Sequence, residues 1–176
     1  MNKYEEFLIN GQYQHRNQDR RFRGEIRSFE DGRVVGVMMD NWRVNCPEER
    51  KIVFGLKENK RLVFWKLSPD PILDSSVYIL YKNDGRTEFE GAYQGRLAPI
   101  GRKKKKLVKD FGEYNPMVEL GNCFENNDTS RMMEILGSIE RERISEMLDR
   151  RAINYIFRES KRGGYAEISR VQSFCA

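Results

Sequence analysis

A chain of 176 residues with 39% hydrophobic and 34% charged residues suits one domain, or one domain with an appendage, whose exterior is highly charged. The formal net charge of +5 permits an anionic partner without requiring one. No segment approaches the roughly 20 apolar residues of a membrane-spanning helix, so we expect no membrane partner.

Short β-rich segments separated by turn signals recur along the first hundred residues. In Phe22–Phe29, Phe22 and Ile26 alternate with charged residues, which is the period of a strand with one solvated face. Asp31–Gly32 then suits a tight hairpin turn. The predicted strands are Phe7–His15, Phe22–Phe29, Val34–Met39, Ile52–Leu56, Leu62–Leu67, Val77–Tyr81 and Thr87–Leu97.

The connections between these strands favour an antiparallel arrangement, because parallel pairs need long and usually helical crossovers. About seven consecutive strands usually curl or close, since closure removes exposed edges. Glycines inside strands, such as Gly24, Gly36 and Gly55, favour a sheet that bends at corners. We therefore predict a mainly β protein: an up-and-down antiparallel β-barrel or strongly curled sheet, with a C-terminal helix packed on it.

The predicted helix starts in the cluster of N-cap residue types at Asn126–Asp128. It continues to about Lys161, with a break near Gly137–Ser138. Its apolar stripe is too narrow and too interrupted for a coiled coil, so we expect the helix to dock on the barrel's outer wall or across its open end. The stripe consists of Ile144, Leu148, Ala152 and Tyr155.

Two further segments bear on the domain boundaries. Met117–Leu120 is predicted as a late strand that closes the barrel, and Tyr165–Val171 as a last strand or an ordered tail. The expected division is a barrel domain over residues 1–125 and a helical C-terminal extension over residues 126–176.

Glycines and aromatic residues recur within the strands as Gly11-Gln-Tyr13, Phe22-Arg-Gly24-Glu-Ile26, Gly36 with Asp40, Gly55 after Ile52, Leu62-Val-Phe64-Trp-Lys66 and Phe89-Glu-Gly91-Ala-Tyr93-Gln-Gly95. This pattern resembles the calycin-type barrels, which include the avidins, lipocalins and fatty-acid-binding proteins. The resemblance is one of architecture and covers Phe7 to Leu97. It implies an interior that holds a small molecule, although no ligand set can be carried over residue by residue.

Alternation predicts that Phe22, Ile26, Phe64, Ile79, Phe89 and Tyr93 point inward. Lys66 shares a strand face with Phe64, so its ammonium either needs a carboxylate or an anionic ligand, or lies at the rim with its head in water. We expect a non-enzymatic barrel that binds an apolar or anionic small molecule, the alternative being a lumen filled by its own side chains. The candidate site consists of Tyr13, Phe22, Phe64, Lys66, Phe89 and Tyr93.

A basic run supports an alternative function. Five consecutive cations can bind the phosphates of a nucleic acid, or an acidic protein, in which case the barrel would serve as a scaffold. The run consists of Arg102, Lys103, Lys104, Lys105 and Lys106.

Catalysis is the third hypothesis. His15 is the only histidine, and no catalytic, cofactor-binding or metal-binding motif is present. An enzyme would depend on Lys66 with carboxylates such as Asp40, Glu88 and Glu90, although the two glutamates suit a solvated outer face. Three cysteines without a paired spacing fit a reducing, cytoplasmic compartment.

Overall fold

The computed structural model describes residues 3–15, 17–40, 49–67, 75–86, 88–96, 119, 122–123, 125–149 and 162–171. The strands are β1 (Tyr4–His15), β2 (Gln18–Phe29), β3 (Arg33–Asp40), β4 (Glu49–Glu58), β5 (Arg61–Leu67), β6 (Ser75–Lys82), β7 (Phe89–Arg96) and β8 (Arg162–Val171). The described residues include two helices, α1 (Thr129–Gly137) and α2 (Arg141–Met147).

The eight strands form a closed barrel in which each strand pairs antiparallel with its neighbours in sequence, and β8 pairs with both β7 and β1. This confirms the predicted fold class. The strand that closes the barrel is β8, so the prediction that Met117–Leu120 closes it was wrong; Glu119, the described residue of that segment, is helical. Because β8 lies within residues 126–176, the C-terminal segment contributes a strand to the barrel as well as helices.

The barrel interior holds a cluster of buried side chains to which every strand contributes. Register explains its composition, because strand partners such as Phe64, Tyr78 and Tyr93 share one face of the sheet. The cluster consists of Ile9, Tyr13, Phe22, Ile26, Val34, Met38, Val53, Leu62, Phe64, Tyr78, Leu80, Tyr93, Ala166 and Ile168. Of the six residues predicted to point inward, Phe22, Ile26, Phe64 and Tyr93 belong to it, and Phe89 packs against it.

A second buried cluster lies on the outer wall of the barrel, where the helices pack on β3 and β4 and the cluster extends to β5 and β6. The middle of β3 and of β4 is buried at every residue, as expected for strands packed on both faces. Ile79 packs against this outer cluster, so its predicted inward orientation was wrong. The helices therefore dock on the wall, one of the two locations that the sequence allowed.

The helix boundaries follow local chemistry. The side chain of Asp128 accepts a hydrogen bond from the Arg131 backbone amide and caps α1, as the cluster of N-cap residue types predicted. The predicted break is also observed, because α1 ends at Gly137. Ile144 and Leu148 are buried on the barrel, whereas the rest of the stripe, Ala152 and Tyr155, lies outside the described residues. Within the described part of the chain, no helix is long and apolar enough to cross a membrane.

Close packing of the sheet accounts for an inward-facing glycine in β1. A Cβ atom at Gly11 would lie 2.0 Å from Cζ of Phe22, because the aromatic ring covers the β1 backbone at this point. Only glycine admits that approach. Gly11 thus lets Phe22 occupy the lumen beside its own strand partner.

Candidate ligand-binding site in the barrel interior

The lumen has two ends that differ in structure. At one end lie three tight turns, between β2 and β3, β4 and β5, and β6 and β7, with positive φ at Gly32, Asn59 and Gly85. We call the adjoining part of the interior the mouth half. The opposite part, which we call the aromatic half, contains Tyr13, Phe22, Tyr78 and Tyr93 around the buried pair Asp40 and Lys66.

Tyr78 lies at the centre of the aromatic half and is fully buried. Its ring stacks on Phe64 with centroids 4.6 Å apart and an interplanar angle of 5°. The ring of Tyr93 stacks on it at 5.5 Å, while Tyr13 and Phe22 meet it edge to face. These offset and T-shaped contacts are the favoured geometries of aromatic pairs. The rings thus fill this half of the lumen.

A buried ion pair lies beside these rings. Lys66 Nζ donates to Asp40 Oδ2 at 2.5 Å, and the two side chains are only 4% and 2% exposed. The hydroxyl of Tyr13 donates to the other carboxylate oxygen at 3.2 Å. Both oxygens of Asp40 are therefore engaged, as a buried carboxylate requires.

The aromatic rings also stabilise the Lys66 ammonium. Its Nζ lies 4.5 Å from the centroid of the Tyr13 ring and 5.2 Å from those of Phe22 and Tyr78, within cation–π range. Burial, the largest cause, raises the pKa of Tyr13 and of Tyr78 well above the ordinary value, so both phenols stay neutral. The sequence left two positions open for Lys66, inside the barrel beside a carboxylate or anionic ligand, or at the rim in water. The structure places Lys66 inside the barrel, paired with the Asp40 carboxylate, so the rim position was wrong.

The mouth half contains a cavity of about 390 Å³. Most of its described lining is aliphatic or aromatic, and it comes from β1 to β8 with every strand contributing. The apolar lining residues are Phe7, Ile9, Ile26, Val34, Met38, Val53, Leu62, Phe64, Phe89 and Ile168. Phe64 separates the two halves, because one face of its ring stacks on Tyr78 while the side chain also borders the cavity.

Polar side chains complete the cavity lining at the barrel end. They lie at the termini of the strands that meet there: Lys57 near the end of β4, Lys82 at the end of β6 and Arg170 near the end of β8. Glu5 and Ser28 are the other described polar lining residues. Lys57, Lys82, Arg170 and Glu5 are exposed to solvent, which places them at the cavity mouth.

The predicted site residues divide between the two halves of the lumen. Phe64 and Phe89 line the cavity, whereas Tyr13, Phe22, Lys66 and Tyr93 belong to the aromatic half. The site predicted from the sequence did not include the aliphatic lining or the cationic mouth residues. A signal existed for Lys57 and Lys82, since each follows an inward residue, Gly55 or Leu80, by two positions.

The remaining candidates do not converge with this site. Asp40 is inside the barrel, but the Glu90 carboxylate accepts a hydrogen bond from the exposed Tyr165 on the outer surface, and Glu88 is exposed. The carboxylates proposed for catalysis are thus separated by the barrel wall. The basic run Arg102–Lys106 lies outside the described residues.

A larger depression, of about 590 Å³, lies along β1, β2 and β8. Its lining is mainly polar and charged, whereas ligand cavities usually have a predominantly apolar lining. The polar lining residues are Asn10, Gln12, Arg21, Arg23, Glu88, Glu167 and Ser169. The lumen is therefore the stronger candidate site for a small molecule.

Comparison of the chain with protein-family models, with curated proteins and with solved structures finds no match. The architecture, a closed antiparallel barrel of eight strands, is compatible with the calycin resemblance. A shared architecture does not define a function, which depends on the residues of the site.

Proposed function

We propose that this protein is a non-enzymatic binding barrel, similar in architecture to lipocalins and avidins, that holds a small apolar molecule in the mouth half of its lumen. The observation that carries the proposal is the apolar cavity of about 390 Å³ beside a lumen half that is filled by aromatic rings. Small-molecule sites are concave, mostly apolar and roughly 300–1,000 Å³ in volume.

The volume limits the size of the ligand. At roughly 30 Å³ per non-hydrogen atom, the share of a water molecule in the liquid, the cavity holds about a dozen such atoms. Phe64 and Met38 form part of its lining on the side of the aromatic half. The ligand is therefore a short chain or a small ring system.

The polar groups of the lumen favour binding over catalysis. Asp40 and Lys66 engage each other, and Tyr13 occupies the second carboxylate oxygen. A reaction needs reactive groups that are accessible to a substrate. Cys123 is a buried free thiol, which is consistent with the reducing cytoplasm that we propose as the compartment.

The test uses 1-naphthylamine, a neutral fluorescent probe of apolar environments whose single fused ring system suits a cavity of this size. We expect the wild-type chain to bind it with a saturable blue shift of its emission. Ser28→Phe should abolish binding, because Ser28 lines the cavity near its mouth and the larger ring would occupy that space. Ser130→Phe, at an exposed position of α1, is the matched control and should bind normally.

Two results would contradict the proposal. The first is no saturable binding to a folded wild-type chain. The second is binding that Ser28→Phe leaves unchanged, which would place the probe elsewhere on the protein. Thermal unfolding of each variant shows whether loss of binding reflects loss of the fold.

A further inference from the structure

We infer that the ligand is an amphipathic anion whose apolar part occupies the cavity and whose carboxylate or equivalent acidic head lies between Lys57, Lys82 and Arg170 at the mouth. This inference rests on the proposed function and adds the chemical class of the ligand. It also places the head group at the opposite end of the lumen from Lys66, whose charge is already matched by Asp40.

The charged residues at the mouth favour an acidic ligand. Three cations and one carboxylate, Glu5, are among the described lining residues of the cavity. An apolar cavity of this kind binds a neutral molecule without any need for cations at its entrance. The three cations that line its opening favour a ligand with one acidic end, since charge-assisted hydrogen bonds to a carboxylate are among the strongest polar contacts.

The neighbouring carboxylates are engaged elsewhere. On the β4–β5 turn, Lys60 pairs with Asp84 rather than with a lumen-facing residue. Glu58 pairs with Arg141 of α2 at 3.3 Å. Among the described residues, the side chains of Lys57 and Lys82 have neither a hydrogen-bond partner nor an ion-pair partner, so both ammonium groups are available to an external anion.

Arg170 is the most constrained of the three cations. Its guanidinium carbon lies 4.9 Å from the centroid of the Phe7 ring, and its Nη1 is 3.9 Å from Glu5 Oε2. That ion pair is long and its partners are 56% and 76% exposed, so it contributes little. A ligand carboxylate can replace Glu5 there, while Phe7 keeps the guanidinium over the mouth.

Helix docking fixes the geometry of this end of the barrel. The buried Arg33 donates from Nη1 to the carbonyl oxygens of Gly137 and Ile139, at 2.9 and 2.7 Å, and from Nε to Asp31 at 2.7 Å. Arg141 donates to the Asp31 carbonyl at 2.8 Å. These bonds tie the β2–β3 turn to the α1–α2 junction, so the packed helices hold this side of the barrel end in place. A ligand therefore has less ordering of the protein to pay for there on binding.

The experiment compares three ligands that share a ten-carbon chain but differ in charge: decanoate, 1-decanol and decylamine. Each is titrated against the protein loaded with 1-naphthylamine, and its dissociation constant is obtained from displacement of that probe. We expect decanoate to bind about tenfold more tightly than 1-decanol, as two or three exposed charge contacts would produce. Decylamine should bind more weakly than both.

Variants of the mouth separate recognition of the head group from burial of the ligand's alkyl chain. The double variant Lys57→Gln with Lys82→Gln should bind decanoate about tenfold more weakly and should bind 1-decanol with unchanged affinity. Lys60→Gln is the control, since Lys60 is exposed nearby but does not belong to the described cavity lining. It should change neither constant.

Several results would overturn the inference while leaving the proposed function intact. They are equal or tighter binding of 1-decanol or decylamine by the wild-type chain, probe binding that none of the three compounds displaces, and equal effects of the double variant on decanoate and 1-decanol. Failure of the wild-type chain to bind the neutral probe would instead remove the proposed function and this inference together.

Discussion

The two halves of the lumen are built by the same strands and the same alternation, yet one is filled and the other contains a cavity. In the aromatic half, Tyr13, Phe22, Tyr78 and Tyr93 extend large rings to the barrel axis. In the mouth half, the described apolar lining is mostly aliphatic, and shorter side chains such as Val34 and Val53 leave about 390 Å³ between them. An eight-stranded barrel is just wide enough for its own side chains to fill it, so side-chain size decides where space remains.

The charges of the two halves differ as well. The aromatic half contains an ion pair that is complete in itself, with both side chains buried. The mouth half has exposed cations, two of which have no side-chain partner among the described residues. The charged side chains of the aromatic half therefore stabilise the fold, whereas those of the mouth half are available to a ligand.

Removing one member of the buried ion pair should have the largest effect on stability. Lys66→Met leaves the Asp40 carboxylate buried without its cation, and we expect a loss of about 3–5 kcal/mol in the free energy of unfolding. The double variant Lys66→Met with Asp40→Leu removes both charges and should lose clearly less than the single variant. Urea unfolding of the three proteins measures these differences.

The same measurement can contradict the assignment of this pair to the fold. A single-variant loss below about 1 kcal/mol would mean that the pair is solvated, as exposed ion pairs are. Lys57→Met is the matched control from the mouth half. Because Lys57 is exposed at a strand end, its replacement should change stability by no more than about 0.5 kcal/mol.

A smaller effect is expected at the boundary between the halves. Phe64→Ala removes a fully buried ring that stacks on Tyr78, and we expect it to lower the free energy of unfolding by about 3 kcal/mol. This is the low end of the range for such a substitution, because the side chain already borders a cavity and has fewer packing partners on that side. Phe89→Ala, at the partly buried mouth, should cost less than about 2 kcal/mol.

Ligand binding by Phe64→Ala gives a second test of the difference between the two halves. Phe64→Ala enlarges the cavity toward Tyr78, so it should admit a larger neutral probe than the wild-type chain does. Similar losses of stability in Phe64→Ala and Phe89→Ala would argue that the two halves are equally packed. That result would remove the distinction between a filled half and an open half.

Much of the barrel follows from local patterns in the sequence. The alternation in Phe22–Phe29 gives the orientation of Phe22 and Ile26, and Asp31–Gly32 predicts the turn at which Gly32 has φ of 89°. The same rule fails for Ile79 because it packs against the outer-wall cluster, so apolar residues occupy both faces of β6 and alternation no longer distinguishes them.

The closing strand and the cavity depend on contacts that are distant in sequence. β8 pairs with β1 across more than 150 residues, as the hydrogen bond between Gln12 and Glu167 illustrates. The local pattern predicted a last strand or an ordered tail at Tyr165–Val171, but no local signal selects that segment over Met117–Leu120 as the strand that closes the barrel. The cavity depends on the volumes of side chains from eight strands at once. A lysine at a strand end, such as Lys57, has the same local pattern whether it faces solvent or a lumen.

The central claim is that a small molecule occupies the mouth half of the lumen. Nuclear Overhauser contacts between 1-decanol, whose chain suits the cavity whatever its head group, and the methyl groups of the folded protein test it most directly. We predict contacts to Ile9, Ile26, Val53 and Ile168, which line the cavity, and none to Ile52, Val63 or Leu136 of the outer wall. Contacts confined to the outer-wall methyl groups, or none at a saturating concentration of 1-decanol, would contradict the account.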